Sequence, residues 1–164
     1  MIILGVDTSL RSTGYGVLEI LGNSMRSLEH GCIRNSPKLP LSRCIVNIHR
    51  KISALIDKFT PEVVSVVKVI YAKNANTMLA LGQARGAVIL SAALNEVPVC
   101  EYEPRRVKMS VCGNGMAEKE QIQRMIKTLL HLEELPQNDA ADALAMAICH
   151  AHTKSFLRTN DNII

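Results

Sequence analysis

The stretch IILGVD, residues 2–7, decides the fold. Alternate residues of an extended strand face opposite sides of a sheet, and both sets are apolar here until the chain reaches Asp7. A strand that is apolar on both faces is typical of the middle of a sheet that is covered on both sides. The sequence therefore predicts a central strand that ends in a single carboxylate.

Turn residues follow this strand over Ser9–Gly14. In the rest of the chain, β-branched and apolar runs predict strands, and apolar positions spaced by three or four residues predict helices. The further predicted strands are Tyr15–Leu21, Ser27–Ile33, Val63–Ile70 and Val97–Tyr102. The predicted helices are Leu41–Phe59, Asn76–Asn95, Arg105–Val111, Glu118–Leu132 and Asp139–Phe156. This order predicts an α/β fold with a five-stranded mixed sheet covered by helices on both faces. We expect one domain over residues 1–157 and a polar C-terminal tail over residues 158–164.

The composition narrows the class of protein. A length of 164 residues with 48% hydrophobic and 21% charged residues suits one globular domain, and the net charge of +4 is compatible with a nucleic-acid partner without requiring one. The five cysteines form no C-x-x-C pair, which argues against a zinc site or a disulfide framework. The N-terminal strand has no basic leader, and the longest apolar run, residues 86–94, is too short to span a bilayer. We therefore expect a cytoplasmic protein with no membrane partner.

Three aspartates are candidates for chemistry. Asp7 ends an apolar central strand, where a carboxylate is costly to bury unless it is paired or binds a cation. Asp139 and Asp142 are three residues apart at the start of the last predicted helix, so they share one face of it. Together they could hold magnesium, which prefers oxygen ligands. The structural alternatives are an Asx turn at Asp7 and favourable helix-dipole interactions at the other two.

Basic residues offer candidate phosphate contacts. A compact basic group lies in the second half of the chain, and two further cations could extend it. These residues are Arg105, Arg106 and Lys108, then Lys73 and Arg85. Contacts of this kind bind phosphates without reading base sequence. From the sequence alone, Lys108 and Lys119 are more readily explained as solvated surface lysines than as phosphate contacts.

Several motifs together identify a family. They are GVDTS (5–9), TGYG (13–16), AKNA (72–75), LGQARG (81–86), VK (107–108), AEK (117–119) and DAADALA (139–145). In this order they resemble the RuvC Holliday-junction resolvases over nearly the whole chain. The resemblance implies a ribonuclease-H-like fold and a homodimer that nicks four-way DNA junctions symmetrically in recombination and repair. It also implies a RuvA–RuvB branch-migration complex as partner, and Mg²⁺ as cofactor, with Mn²⁺ as a possible substitute and two ions in an intact site.

The resemblance also assigns roles to single residues. It makes Asp7, Asp139 and Asp142 the metal ligands and catalytic carboxylates, and it places Lys108 and Lys119 near the scissile phosphate. A lysine there would anchor the phosphate or stabilise developing charge. Lys119 is therefore a catalytic candidate as well as a DNA-binding one.

The sequence departs from the family at the end of the fourth strand. The resemblance implies a glutamate at the end of the fourth strand, a few residues before the AKNA block, and that position is Val67, which has no lone pair to give a metal. Glu62 lies five residues upstream, roughly 16 Å along an extended strand, and Lys68 would face the opposite side and repel a cation. We therefore expect weakened metal binding and cleavage that is slow or absent in magnesium.

A second departure concerns the wedge that contacts junction bases. The family usually places an aromatic residue three positions after that glutamate, where this chain has Ile70, followed by Tyr71. An apolar side chain can still insert between bases, although with weaker stacking, and Tyr71 is a second candidate for this contact. The alternative is that Ile70 ends the strand in the core.

Two other classes of protein compete with a resolvase. A non-catalytic junction-binding protein is favoured by Val67, whereas the three retained aspartates favour an enzyme. An actin-like or sugar-kinase-like ATPase is suggested by the residues 7–14, which resemble a phosphate loop. Such ATPases need two such domains around the nucleotide, and one copy in 164 residues argues against this class.

Overall fold

The computed structural model describes residues 1–69, 74–156 and 163–164. The strands are β1 (Ile2–Asp7), β2 (Ser12–Leu21), β3 (Ser24–Arg34), β4 (Val63–Val67) and β5 (Val99–Tyr102). The helices are α1 (Leu41–Phe59), α2 (Ala75–Leu94), α3 (Pro104–Cys112), α4 (Lys119–Leu129) and α5 (Asn138–Phe156). All predicted elements are present in the predicted order.

The strands form one mixed sheet of five in the order β3-β2-β1-β4-β5. β1 pairs antiparallel with β2 and parallel with β4, so the stretch that decided the fold is central. A tight turn at Gly22, which has a φ of 60°, joins β2 to β3 and makes that pair antiparallel. The long α1 connection brings β4 in parallel to β1, because a parallel pair needs a crossover. The predicted five-stranded mixed sheet is confirmed.

Helices cover both faces of the sheet, as predicted. On one face, Ile3 and Leu18 pack in a buried cluster with residues of α3, α4 and α5. On the other face, Leu4 and Val6 pack with residues of α1 and α2. The two apolar sets of β1 therefore fill two separate cores.

Glycines allow α5 to lie directly on the sheet. A Cβ atom at Gly5 would overlap the carbonyl oxygen of Ala143, and one at Gly14 would overlap the carbonyl oxygen of Asp139. The Ser65 hydroxyl also donates to the carbonyl oxygen of Met146 at 2.9 Å, which ties α5 to β4. This close contact holds the first turns of α5 beside the C-terminal ends of β1 and β4.

Some predicted boundaries were wrong. β4 ends at Val67, three residues before the predicted end, where the backbone N–H of Lys68 makes a last bond to the Tyr102 carbonyl oxygen at 2.8 Å. β2 begins at Ser12 because its pairing with β3 continues to that residue, and α4 ends at Leu129, where the next residues turn. In the predicted polar tail, Ile163 forms an antiparallel bridge with Cys100 of β5.

α2 is more apolar than the run-length estimate indicated. It is one helix of 20 residues, Ala75–Leu94, and an 18-residue window within it has a mean hydropathy of 1.4, so the helix is long and apolar enough to cross a membrane by length and composition alone. Core helices of other proteins meet the same criterion, and 28% of the tested segment of α2 is buried. The prediction from residues 86–94 underestimated the length of this apolar helix, because the charged residue Arg85 interrupts the apolar run while the helix continues through it.

Candidate active site and nucleic-acid interface

A cavity of about 160 Å³ opens at the C-terminal ends of β1 and β4. The residues that line it come from β1, β4, α3, α4 and α5. They are Asp7, Val67, Pro104, Val107, Lys108, Lys119, Ile122, Asp142, Ala145 and Met146. Two carboxylates, two ammonium groups and the predicted glutamate position therefore meet at one place, and most of the remaining wall is apolar.

Asp7 lies at the edge of this cavity where β1 ends. Its backbone is opposite Gly14 of β2, which leaves the carboxylate on the α5 side of the sheet. Burial is the main cause that raises the pKa of Asp7 from 3.8 to about 7, and repulsion by Asp142 and Asp139 adds to it. Lys119 acts in the opposite direction. A carboxylate in this state would be stabilised by any cation that entered the cavity.

The two aspartates of α5 have different surroundings. Asp142 lines the cavity, and its pKa is raised by burial, while Lys119 opposes that shift. Asp139 lies one turn earlier, in the first turn of α5, and its carboxylate accepts a hydrogen bond from the Ser12 hydroxyl. The predicted common face is present, but Asp142 is directed to the cavity, and Asp139 is held by β2.

Val67 occupies the predicted glutamate position in the wall of the cavity. Val66 is paired with Val6 of β1, so Val67 follows in register beside Asp7. Its side chain packs against the core under α5. The cavity therefore presents an isopropyl group where the family resemblance implied a metal ligand.

The residues present fit a pair of metal ions poorly. Within residues 1–69, 74–156 and 163–164, no group of three His, Cys, Asp or Glu side chains is arranged to hold a metal ion. Asp7 and Asp142 share the cavity, Asp139 is engaged by Ser12, and Val67 contributes no oxygen. The predicted metal-ligand role of the three aspartates stays a prediction.

Lys108 and Lys119 approach the cavity from α3 and from the start of α4. The Lys108 ammonium donates to the carbonyl oxygen of Ala117 at 2.8 Å, which ties α3 to the loop before α4. Its remaining N–H groups can donate to a phosphate. Lys119 is exposed and is close enough to Asp7 and Asp142 to act on their pKa values. Both lysines are thus where a phosphate beside the aspartates would need them.

The neighbouring arginines Arg105 and Arg106 have different surroundings. Arg105 is exposed, and its side chain lies against Gly115 in the loop that Lys108 ties down. Arg106 lies over the Tyr102 ring at 5.4 Å and donates to the Thr153 hydroxyl at 3.2 Å. Arg105 is therefore the more available of the two neighbours for a phosphate.

Arg85 has a structural partner. Its guanidinium forms an ion pair with Glu101 at 2.5 Å, both side chains are mostly buried, and the Arg85 Nε has no hydrogen-bond partner among the described atoms. This pair connects α2 to β5. The predicted DNA contact of Arg85 stays a prediction, and its observed role is structural.

Three predicted DNA-binding residues, Ile70, Tyr71 and Lys73, lie outside the described residues. The chain is described again from Asn74, whose side chain accepts hydrogen bonds from the backbone N–H groups of Asn76 and Thr77 and so caps α2. The predicted wedge of Ile70 or Tyr71 stays a prediction.

Two contacts at the site were not predicted from the sequence. Ser12 was read as a turn residue, yet its hydroxyl holds Asp139 across 127 positions of sequence. The Ala117 carbonyl oxygen is a backbone atom, and no side-chain pattern could identify it as the partner of Lys108. The TGYG block beside Ser12 was the available signal for the first contact, because it marked that strand start as part of the site.

Comparisons with known proteins agree with this geometry. The family model "Crossover junction endodeoxyribonuclease RuvC" matches residues 3–150. The chain is 49% identical over 162 residues to the protein of that name from Proteus mirabilis, covering 98% of this chain and 92% of the relative. It is 48% identical over 160 residues to the protein of that name from Idiomarina loihiensis, covering 95% of this chain and 90% of the relative.

Solved structures support the same assignment. T. thermophilus RuvC in complex with a Holliday junction substrate superposes with a TM-score of 0.89 at 32% identity, covering 94% of each chain. The yeast mitochondrial resolvase Ydc2 superposes with a TM-score of 0.61 at 12% identity, over 94% of this chain and 86% of Ydc2, which shows a shared fold. The fold is thus ribonuclease-H-like, as predicted, and divalent-metal use is consistent with this family of nucleases. With the family model matching nearly the whole chain, this protein belongs to the RuvC family of crossover junction endodeoxyribonucleases.

Proposed function

We propose that this protein binds four-way DNA junctions through the surface around the cavity. The related T. thermophilus structure holds a Holliday junction, and the present chain has cations beside its carboxylates where β1 and β4 end and α5 begins. Lys108, Lys119 and Arg105 would contact phosphates of the backbone. Such binding would be independent of base sequence and would weaken as salt concentration rises.

The meeting of Asp7, Asp142, Lys108 and Lys119 around one cavity is the observation that supports this function most directly. These residues are far apart in sequence, and an apolar core would gain nothing from bringing them together. In the proposed complex, the lysines hold a backbone phosphate at the mouth of the cavity. The carboxylates would then lie beside the phosphodiester bond that a resolvase of this family cleaves.

We further propose that phosphodiester hydrolysis by this chain is slow or absent in magnesium. The expected ion is Mg²⁺, with Mn²⁺ as a substitute; Asp7, Asp139 and Asp142 are the carboxylates that would hold it, but in the described structure they are not arranged around a single ion. Mg²⁺ is a hard cation that is usually held by only a few carboxylates, so the loss of one direct ligand weakens its binding. Val67 would therefore separate binding from cleavage, because the phosphate contacts remain while the metal site would lack one carboxylate.

A homodimer is part of the proposal. The outer face of α2 exposes Leu79, Leu90 and Leu94, while Gly82 and Gly86 leave open space on the helix surface. A second copy could approach closely along this stripe, and a two-fold dimer suits a junction with two equivalent strands. We also propose a RuvA–RuvB complex as partner, a cytoplasmic location, and a role in recombination and repair.

A second candidate function is non-catalytic junction binding. Val67 in the wall of the cavity is the observation that favours it, because the chain would then act by holding the junction without nicking it. The two functions differ only in whether any metal restores cleavage by the unmodified chain.

The test compares the unmodified protein with Val67→Glu on a synthetic four-way junction. Val67→Gln is the matched control, because it has the size of glutamate without its charge. Binding is measured in calcium and in chelator by gel shift, and nicking is measured in magnesium and then in manganese. We expect junction binding by all three proteins and nicking by Val67→Glu alone in magnesium, with a gain of at least about a hundredfold, since even outer-shell metal partners are worth 10–100-fold.

Each outcome decides one part of the proposal. Efficient nicking by the unmodified protein in magnesium would overturn the role given to Val67. Nicking that only manganese restores would favour an impaired enzyme over a non-catalytic binder. Equal affinity for junctions and linear duplexes would overturn junction binding itself.

A further inference from the structure

The loop between α3 and α4, residues 113–118, presents one exposed apolar side chain. Met116 is 78% exposed, more than any other large hydrophobic residue in the described chain. A single exposed methionine is common on protein surfaces, but this one directly precedes Ala117, which accepts a hydrogen bond from Lys108 in the wall of the cavity. The surroundings of Met116 indicate what it could contact.

The loop that carries Met116 is held in place on both sides. Gly113 ends α3 in the left-handed conformation, and its N–H donates to the Met109 carbonyl oxygen at 2.9 Å. The Met116 N–H donates to the Asn114 side chain at 2.9 Å, and the next residue, Ala117, is buried and accepts from Lys108. Ordering Met116 on binding would therefore require little loss of backbone entropy.

Cations surround this loop. Gly115, directly before Met116, lies against the Arg105 side chain, while Lys108 ties down the residue directly after it. Lys119 follows three positions later and lines the cavity. One acid, Glu118, lies in the loop itself, where it lines a separate groove with Glu120 and Arg124 of α4. Met116 is thus an apolar side chain set among groups suited to phosphates.

We propose that Met116 inserts against exposed bases at the centre of a four-way junction, while Arg105, Lys108 and Lys119 hold the adjoining phosphates. Methionine is among the apolar side chains that proteins insert between base steps, and its flexible thioether adapts to an irregular surface. The inference rests on the proposed junction binding and deepens it by naming a base-contacting residue. A linear duplex offers stacked bases and no open centre, so the contact should discriminate junction from duplex.

The experiment measures affinity for a junction and for a linear duplex in chelator, with 2-aminopurine placed at the crossover to report unstacking. The variants are Met116→Gln, which keeps the length and adds polarity, and Met116→Leu, which keeps an apolar group. Leu21→Gln is the control, because Leu21 is 55% exposed at the β2 end that is remote from Asp7.

We expect Met116→Gln to weaken junction binding about tenfold, since burying an apolar side chain is worth at least that much. Its duplex binding should change less than twofold, and the fluorescence increase at the crossover should be lost. Met116→Leu and Leu21→Gln should match the unmodified protein. Unchanged melting temperatures would show that all four proteins are folded, and Met116→Ala replaces the glutamine variant if that one is not.

Three results would overturn the inference. The first is a Met116→Gln variant that equals the unmodified protein in junction affinity and fluorescence, which would show that Met116 makes no contact with the bases. The second is an equal loss on junction and duplex, which would make the contact non-specific. The third is an unmodified protein without junction preference; that result would also remove the proposed function, whereas the first two leave it standing.

Discussion

Two carboxylates on opposite faces of the sheet show how differently this protein treats the same chemical group. Asp7 lies at the cavity under α5, and its pKa is raised from 3.8 to about 7 by burial and by neighbouring aspartates. Glu29 of β3 lies on the α1 side, and its pKa is lowered from 4.5 to about 2 by hydrogen bonds from Lys58 and Lys51. The lysine contacts of Glu29 measure 2.7 and 3.1 Å.

The opposite pKa shifts distinguish a stabilising ion pair at Glu29 from a carboxylate at Asp7 whose charge is not balanced within the fold. Glu29 has its countercharges within the fold, so its ionised form is favoured without help. Asp7 has been placed near two other acids with one opposing lysine, an arrangement that lowers stability and persists where function requires it. The two groups should therefore respond in opposite directions to neutralisation and to pH.

The largest effect should come from Val67→Glu in chelator. A third carboxylate in the cavity would be buried as a charge and would be repelled by Asp7 and Asp142. We expect it to lower the free energy of unfolding at pH 8 by about 2–3 kcal/mol. The loss should shrink as pH falls and should be partly reversed by magnesium. Urea unfolding at pH 5 and pH 8 measures it, with Val67→Gln as control. A loss of equal size in the glutamine variant would show that volume, and not charge, is responsible.

Asp7→Asn should stabilise the metal-free protein. The folded state holds a proton on Asp7 up to about pH 7, whereas the unfolded state releases it near 3.8, so ionisation of Asp7 lowers stability as pH rises between those values. At pH 8 the variant should gain on the order of 2 kcal/mol in the free energy of unfolding, and below about pH 4 the gain should vanish. Chemical unfolding across this range measures it, with the exposed Asp57→Asn as control. A gain that does not depend on pH would contradict the explanation.

Glu29→Gln should destabilise the protein modestly. The folded pKa of about 2 lies below the ordinary 4.5, so the ionised Glu29 contributes stability above pH 4.5 and loses it as pH falls toward 2. Because the pairs are partly exposed, the loss at pH 7 should be at most about 1 kcal/mol and smaller in 1 M salt. Urea titrations at two salt concentrations check it. A larger loss in high salt would rule out the ion pairs as its cause.

The smallest effect should come from Glu120→Gln. The Glu120–Arg124 pair is 3.9 Å apart and largely exposed on both sides, so solvent screens it. We expect a change within about 0.5 kcal/mol at any pH between 5 and 8. A clear loss in the same urea titrations would mean that exposed pairs matter more here than the comparison assumes.

Most of the fold could be predicted from periodicity. The β1 stretch identified a central strand because both of its faces are apolar, and α1 was predicted with the observed bounds because its apolar positions follow helical spacing up to Thr60-Pro61. The end of β4 could not be predicted, since Val69 and Ile70 continue the apolar β-branched run beyond the last pairing with β5. Pairing with a neighbour, and not propensity, ends that strand.

The candidate site was predictable in its residue types and less so in their roles. Asp7, Asp142, Lys108 and Lys119 were named from motifs, and they meet at one cavity. Arg85 belonged to a motif as well, yet it is paired with Glu101, whose position on a neighbouring strand depends on the sheet order. Met116 has no motif, and its exposure depends on how the α3–α4 loop is tied down.

The sequence by itself determined which strand is central, where the helices lie along the chain, which family the motifs resemble, and that a valine stands where a carboxylate was expected. These are local properties, set by residue type and spacing along the chain. Only the tertiary structure decided that Val67 lies beside Asp7, that Ser12 holds Asp139, and that burial raises the pKa of Asp7. Distances between remote residues and their removal from water exist only once the chain has packed, and both govern the strength of charge interactions.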